Sequence, residues 1–145
     1  MNEQANIKPA TWFMVISGLA LLWNLLGVYA YVDTMTMSAQ RLAELPEAQR
    51  QLMESTPAWA NGAFAVAVNF GALGCLALLL KKAWAVPLLM LSLAGIVVQF
   101  YNAFFLSNSF EVFGPGGMIM PVMVFAIAVY LVVLARSAKT KGWIR

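Results

Sequence analysis

Histidine is absent from this chain, cysteine occurs once, at Cys75, and only 10% of the residues carry charge. Without histidine there is no imidazole to ligate haem or zinc and no histidine-based triad. A single thiol excludes an intrachain disulfide and a Cys/His metal cluster. Scarce charge, set against 62% hydrophobic residues over 145 positions and a mean hydropathy of +0.78, excludes an ordinary water-soluble domain. The chain reads as a membrane protein. Its net charge of +3 comes from basic residues that flank apolar runs, where membrane orientation explains them, so no nucleic-acid partner is expected.

Four apolar runs are long enough to cross a bilayer, whose hydrocarbon core of about 30 Å needs about 20 helical residues. The first has no charge between Lys8 and Asp33 and predicts a helix over 10–32. It is too long for a signal-peptide core and lacks a small-x-small cleavage site, so it is expected to stay attached. The second, after Pro57, predicts a helix over 59–80. Lys81 and Lys82 form a turn so short that the third helix, over 83–107, must return beside the second. Phe113-Gly114-Pro115-Gly116-Gly117 then interrupts helix, since Gly and Pro cost about 1 and 3 kcal/mol per helical position, and the fourth helix is expected over 118–136. The expected fold is a single all-α domain, a four-transmembrane-helix antiparallel bundle with a short helical outer loop over 33–57.

Lys8, Lys81, Lys82, Arg136, Lys139, Lys141 and Arg145 fall on one side and only Arg41 and Arg50 on the other, which predicts cytoplasmic termini. Trp12, Trp84 and Trp143 near one face, with Trp59 and Tyr31 near the other, suit interfacial aromatic belts. In the outer loop, Ser38 can cap a short helix and Pro46 can start a second. Leu45, Gln49, Leu52 and Met53 recur at near-helical spacing, as expected of a segment that caps the bundle or lies on the membrane surface.

In lipid, small and polar residues mark the faces that helices turn to one another. The first span offers Ser17, Ala20, Asn24, Gly27 and Tyr31 in one stripe, with Phe13, Ile16 and Leu26 on its back. The second offers Gly62, Ala65, Asn69 and Ala72, and the third Ser92, Gly95, Gln99 and Asn102. The fourth has no amide and mainly offers Met120, Pro121, Met123 and Ala128, as a peripheral or oligomer-facing helix would. Asn24, Tyr31, Asn69, Gln99 and Asn102 are therefore the candidate ligand-binding residues. Their amides either hydrogen-bond between helices or line an outward pocket for a small neutral polar solute, walled by Phe100, Tyr101 and Phe104.

No Asp, Glu, Lys or Arg lies at mid-span, which argues against proton coupling through a buried titratable group. Asp33 and Glu111 either end a span or gate an entrance. The thioethers of Met35, Met37, Met118, Met120 and Met123 are soft ligands for Cu(I), but without histidine or a second thiol they read as packing, and no cofactor or metal is expected. No acid/base pair and no nucleophile with a base is visible, so no enzymatic activity is expected.

Leu22-Trp23-Asn24-Leu25-Leu26-Gly27, Leu42-Ala43-Glu44-Leu45-Pro46, Thr56-Pro57-Ala58-Trp59 and the terminal Lys141-Gly142-Trp143 together resemble a family of small bacterial four-span membrane proteins often labelled "sugar transporter" by automatic naming. The resemblance covers nearly the whole chain. It implies solute transport in a bacterial inner membrane and Asn24 and Trp59 as the positions to test first, and no catalytic residue carries over from it. Four helices are few for enclosing a path, so a homodimer is expected; a non-enzymatic accessory protein that holds a membrane partner through the 33–57 loop or the fourth helix is the alternative.

Overall fold

Alanine and glycine at every third or fourth position of the second span let neighbouring backbones approach it closely, and the architecture is built around that helix. The computed structural model describes residues 8–107, 109–114, 116 and 119–145. Its helices are α1 (Thr11–Met35), α2 (Ala39–Glu44), α3 (Glu47–Ser55), α4 (Ala58–Leu79), α5 (Ala85–Tyr101), α6 (Ser109–Phe113) and α7 (Ile119–Thr140), and no strand occurs among the described residues. A π-helical turn, Asn102–Leu106, prolongs α5 without a break. The four helices long and apolar enough to span a membrane are α1, α4, α5 with its π-turn, and α7, of 25, 22, 22 and 22 residues. At about 1.5 Å per residue each exceeds the hydrocarbon thickness.

The spans pack in chain order, α1 on α4, α4 on α5 and α5 on α7, whereas α1 and α7 meet only weakly along their lengths. A row of four helices curved in this way is closed at one end and open at the other. At the end carrying both termini, Phe13, Cys75, Leu78, Leu89, Leu134 and Ile144 share one packed core. The chain's last residues seal it. The Arg145 N–H donates to the Lys81 carbonyl at 3.0 Å and the Ala83 N–H donates to the Arg145 carbonyl at 2.8 Å, so the C-terminal tail pairs with the α4–α5 turn. Trp143 packs on Trp12 and Phe13, with ring centroids 5.6 and 5.3 Å away, and the Lys141 ammonium sits 4.6 Å from its ring.

Both helix ends beneath this seal use the same left-handed cap. Lys82 N–H to Ala77 carbonyl and Lys81 N–H to Leu78 carbonyl close α4, and Trp143 N–H to Ala138 carbonyl and Gly142 N–H to Lys139 carbonyl close α7. Each cap needs one residue at positive φ. Gly142 supplies it at 79° without a steric cost, whereas Lys81 at 60° bears one.

At the other end the loop folds as expected, with the Ser38 hydroxyl accepting from the Arg41 N–H at 3.2 Å at the start of α2, while Pro46 immediately precedes α3. Arg41 forks onto both carboxylate oxygens of Asp33, at 2.9 and 3.2 Å, tying α2 to the end of α1. That hydrogen bond, and then the Asp33 charge, push the guanidinium pKa upward.

Several boundaries differ from the sequence expectation. Helix α1 continues past Asp33 to Met35 and α7 past Arg136 to Thr140, because charged residues at the membrane edge reach water without ending a helix and neither stretch holds Gly or Pro. Phe113, expected in the interruption, closes the short helix α6 before Gly114 turns the backbone to φ 72°. The expected start at Met118 lies outside the described residues.

Candidate functional site

One of the stripes read from the sequence, and one residue of another helix's assigned back face, point elsewhere. Phe13, assigned to the back of α1, is 0% exposed and anchors the packed end. On α4 the inward face is Ala60, Ala63, Ala67, Gly71 and Gly74, not Gly62, Ala65, Asn69 and Ala72, and Asn69 is exposed. The Asn69 amide donates to the Ala65 carbonyl of its own helix at 2.8 Å, so it needs no partner helix. Helix α7 is not peripheral. Leu131, Leu134, Ala135 and Ala138 are buried in the same core as Phe13.

On α1 and α5 the small and polar residues do turn inward, because only there do they face the small-residue seam of α4. Gly95 lies so close to α4 that a Cβ would stand 2.8 Å from the Ala63 carbonyl oxygen. Ser92, one turn away, donates to the Ala67 carbonyl at 2.6 Å. The Asn24 amide donates to the Ala20 carbonyl at 2.8 Å and to the Cys75 Sγ at 3.4 Å, and Gly71 makes room for its oxygen, which a Cβ there would strike. Asn24 of α1 and Ser92 of α5 thus both reach up against position 71 of α4, which leaves them room only because it has no side chain. Lower still, the Ser17 hydroxyl is buried with no hydrogen-bond partner among the described residues.

Three cavities follow the inward face of α5 from the loop end down. The outermost, of about 590 Å³, lies between the start of α4, the end of α3 and the π-turn, and Trp59, Asn102, Thr56 and Ser107 are among its walls. Next is a cleft of about 440 Å³ to which all four spans contribute; Asn24 and Gly27 of α1 face Met120 and Pro121 of α7 across Phe64 of α4 and Gln99 and Phe100 of α5. Beneath it a 30 Å³ cavity shares Trp23, Asn24, Ile96 and Val124 with the cleft and adds Gly71 and Ser92. That volume has room for one or two waters. Below begins the packed core.

The five candidates are therefore split. Asn24 and Gln99 line one cleft, Asn102 lines the outer cavity, Asn69 faces away from both, and Tyr31 packs edge-on against Phe64, with ring centroids 5.4 Å apart, without lining the cleft. The side-chain amides of Gln99 and Asn102 make no hydrogen bond to any described residue. Sequence reasoning missed Trp23 and Phe64 as cleft walls and Thr56 and Ser107 as cavity walls. Aromatic residues are common enough in spans to hide the first two, and the other two become neighbours only through the loop fold. No cluster of three His, Cys, Asp or Glu side chains suited to a metal ion occurs among the described residues. Comparison with protein-family models, characterised proteins and solved structures finds no match to this chain, so its functional reading rests on geometry.

Proposed function

We propose that this membrane protein is a non-enzymatic carrier for a small neutral solute, seated in a bacterial inner membrane with both termini in the cytoplasm and held here in an outward-open, inward-closed arrangement. One observation carries the reading: the cleft tapers from 440 Å³ to 30 Å³ and stops on a packed core, with no ionisable side chain among the described residues that line it. A dead-end funnel of that form suits one half of an alternating-access cycle. Gln99 offers an amide without a partner among the described residues, and Trp23, Phe64 and Phe100 offer apolar faces, a combination that suits a solute carrying hydroxyls on an apolar frame. The weak contact between α1 and α7 leaves one side of the cleft to lipid, and a second copy of the chain would close it.

The test is uptake of radiolabelled monosaccharide into liposomes containing the purified protein. Uptake is expected to be saturable and to fall about tenfold in Gln99→Leu and in Asn24→Leu, the loss of one or two hydrogen bonds. Uptake that both substitutions leave unchanged overturns the cleft as the path. An accessory role is favoured by one feature, the lipid-facing row Val122, Phe125, Val129 and Val133 on α7. Under that reading a stoichiometric partner co-purifies and is lost when this row or residues 38–54 are altered, with no uptake in liposomes.

A further inference from the structure

The outer cavity is separate from the cleft: no residue lines both, although Asn102 and Gln99 are one turn apart on the same helix. Its chemistry follows from where its hydroxyl protons already go. Thr56 Oγ1 donates to the Leu52 carbonyl at 2.8 Å, Ser55 Oγ donates to the same carbonyl at 3.1 Å, and Ser107 Oγ donates to the Ala103 carbonyl at 3.1 Å. The Ser109 hydroxyl, 2.8 Å from Ser107, then occupies one of the two Ser107 lone pairs and leaves the other. Each hydroxyl thereby spends its one proton within its own segment and has acceptor capacity, not a proton, to spare for a visitor. Asn102 supplies both a donor and an acceptor that nothing in the described protein uses. Trp59, 46% exposed, adds a flat apolar face.

A ligand matching this set must donate several hydrogen bonds, accept at least one, and present an apolar face to an indole. It must also be uncharged, because no acid or base is among the described lining residues. The π-turn that carries Asn102 adds an independent sign, since one extra residue per turn distorts a helix at a cost and recurs at functional sites. We infer that this outer cavity is a recognition site for a neutral polyhydroxylated ring, with Trp59 under the ring's C–H face, Asn102 bonding one hydroxyl in both directions, and Thr56 and Ser107 accepting from others. It rests on the carrier reading and deepens it by adding a second site, outside the cleft, where the solute is first held.

The probe is D-glucose, followed by saturation-transfer NMR with the full chain in lipid nanodiscs free of sugar-based detergent, and with D-glucuronate and D-glucosamine as charged counterparts. Glucose binding is expected, about tenfold weaker in Asn102→Leu and in Trp59→Leu, largely retained in Trp59→Phe, and much weaker for both charged sugars. Helical content by circular dichroism, unchanged in these exposed or half-buried positions, separates lost binding from lost fold. Absence of glucose binding, equal binding by either Leu variant, or equal binding of a charged sugar overturns the site. Binding that depends on Asn102 in a protein showing no uptake supports the site and removes the carrier; uptake that survives both Leu variants supports the carrier and removes the site.

Discussion

The two ends of this bundle are made of the same residue types and behave as opposites. At the terminal end Phe13, Cys75, Leu78 and Ile144 are almost wholly buried, and the tail hydrogen-bonds across the α4–α5 turn. At the loop end two cavities of several hundred Å³ separate the same helices, and Phe105 is 76% exposed. Apolar composition does not explain the contrast, since lipid solvates a leucine as well as a neighbouring helix does. What differs is fit. Small residues at the seams let α1 and α5 each pack closely against α4, and the tail supplies Trp143 and Ile144 to fill the space between α1 and α7, whereas nothing equivalent among the described residues fills it above Asn24.

That contrast is most sharply broken at Gly95. A Leu there must displace the Ala63 and Ala67 backbone, and Gly95→Leu is expected to destabilise the bundle by about 3 kcal/mol. Gly62→Ala, where a Cβ meets nothing within 4 Å, is expected to cost no stability and to gain up to about 1 kcal/mol from helix propensity. Both are read by thermal unfolding in detergent and by the rate at which maleimide reaches Cys75, the buried thiol of the packed end. Slow labelling of Cys75 in Gly95→Leu, equal to that of the unaltered chain, would show that the α4–α5 seam does not hold the closed end.

The comparison between ends is next sharpened by two phenylalanines. Phe13→Ala leaves a void where Trp143 and the α7 core packed, at a cost of about 2 kcal/mol; this is below the water-soluble range because truncation in lipid loses packing without a transfer penalty. Phe105→Ala is expected to change stability by less than about 0.5 kcal/mol. Equal loss at the two positions would mean that the ends are packed alike. The smallest effect concerns the cap at the α4–α5 turn. Lys81→Gly removes the strain of a side chain at φ 60° and should stabilise by about 1 kcal/mol, slowing Cys75 labelling accordingly.

Much of this organisation is legible in the order of the residues. Charge-free length predicts the four spans, and Ser38 and Pro46 predict the two loop helices, because caps and hydrophobic length are local properties. Facing is different. In a soluble helix, polar residues mark the outside, but α1 and α4 are apolar all round, so residue spacing turns Asn69 inward and Phe13 outward, the reverse of their places in the bundle. Asn69 satisfies itself on Ala65, an outcome that removes the energetic reason for an intramembrane amide to face the bundle.

Composition and spacing alone determined that this chain is all-helical with four helices long and apolar enough to cross a membrane, since that depends only on the residues of one segment and their solvent. The tertiary structure decided which amides share a cleft, that Asn102 belongs with Trp59 instead, and that the C-terminal tail closes one end. Those outcomes turn on close approach between segments far apart in sequence, set by where a missing Cβ at Gly71 or Gly95 lets two backbones meet.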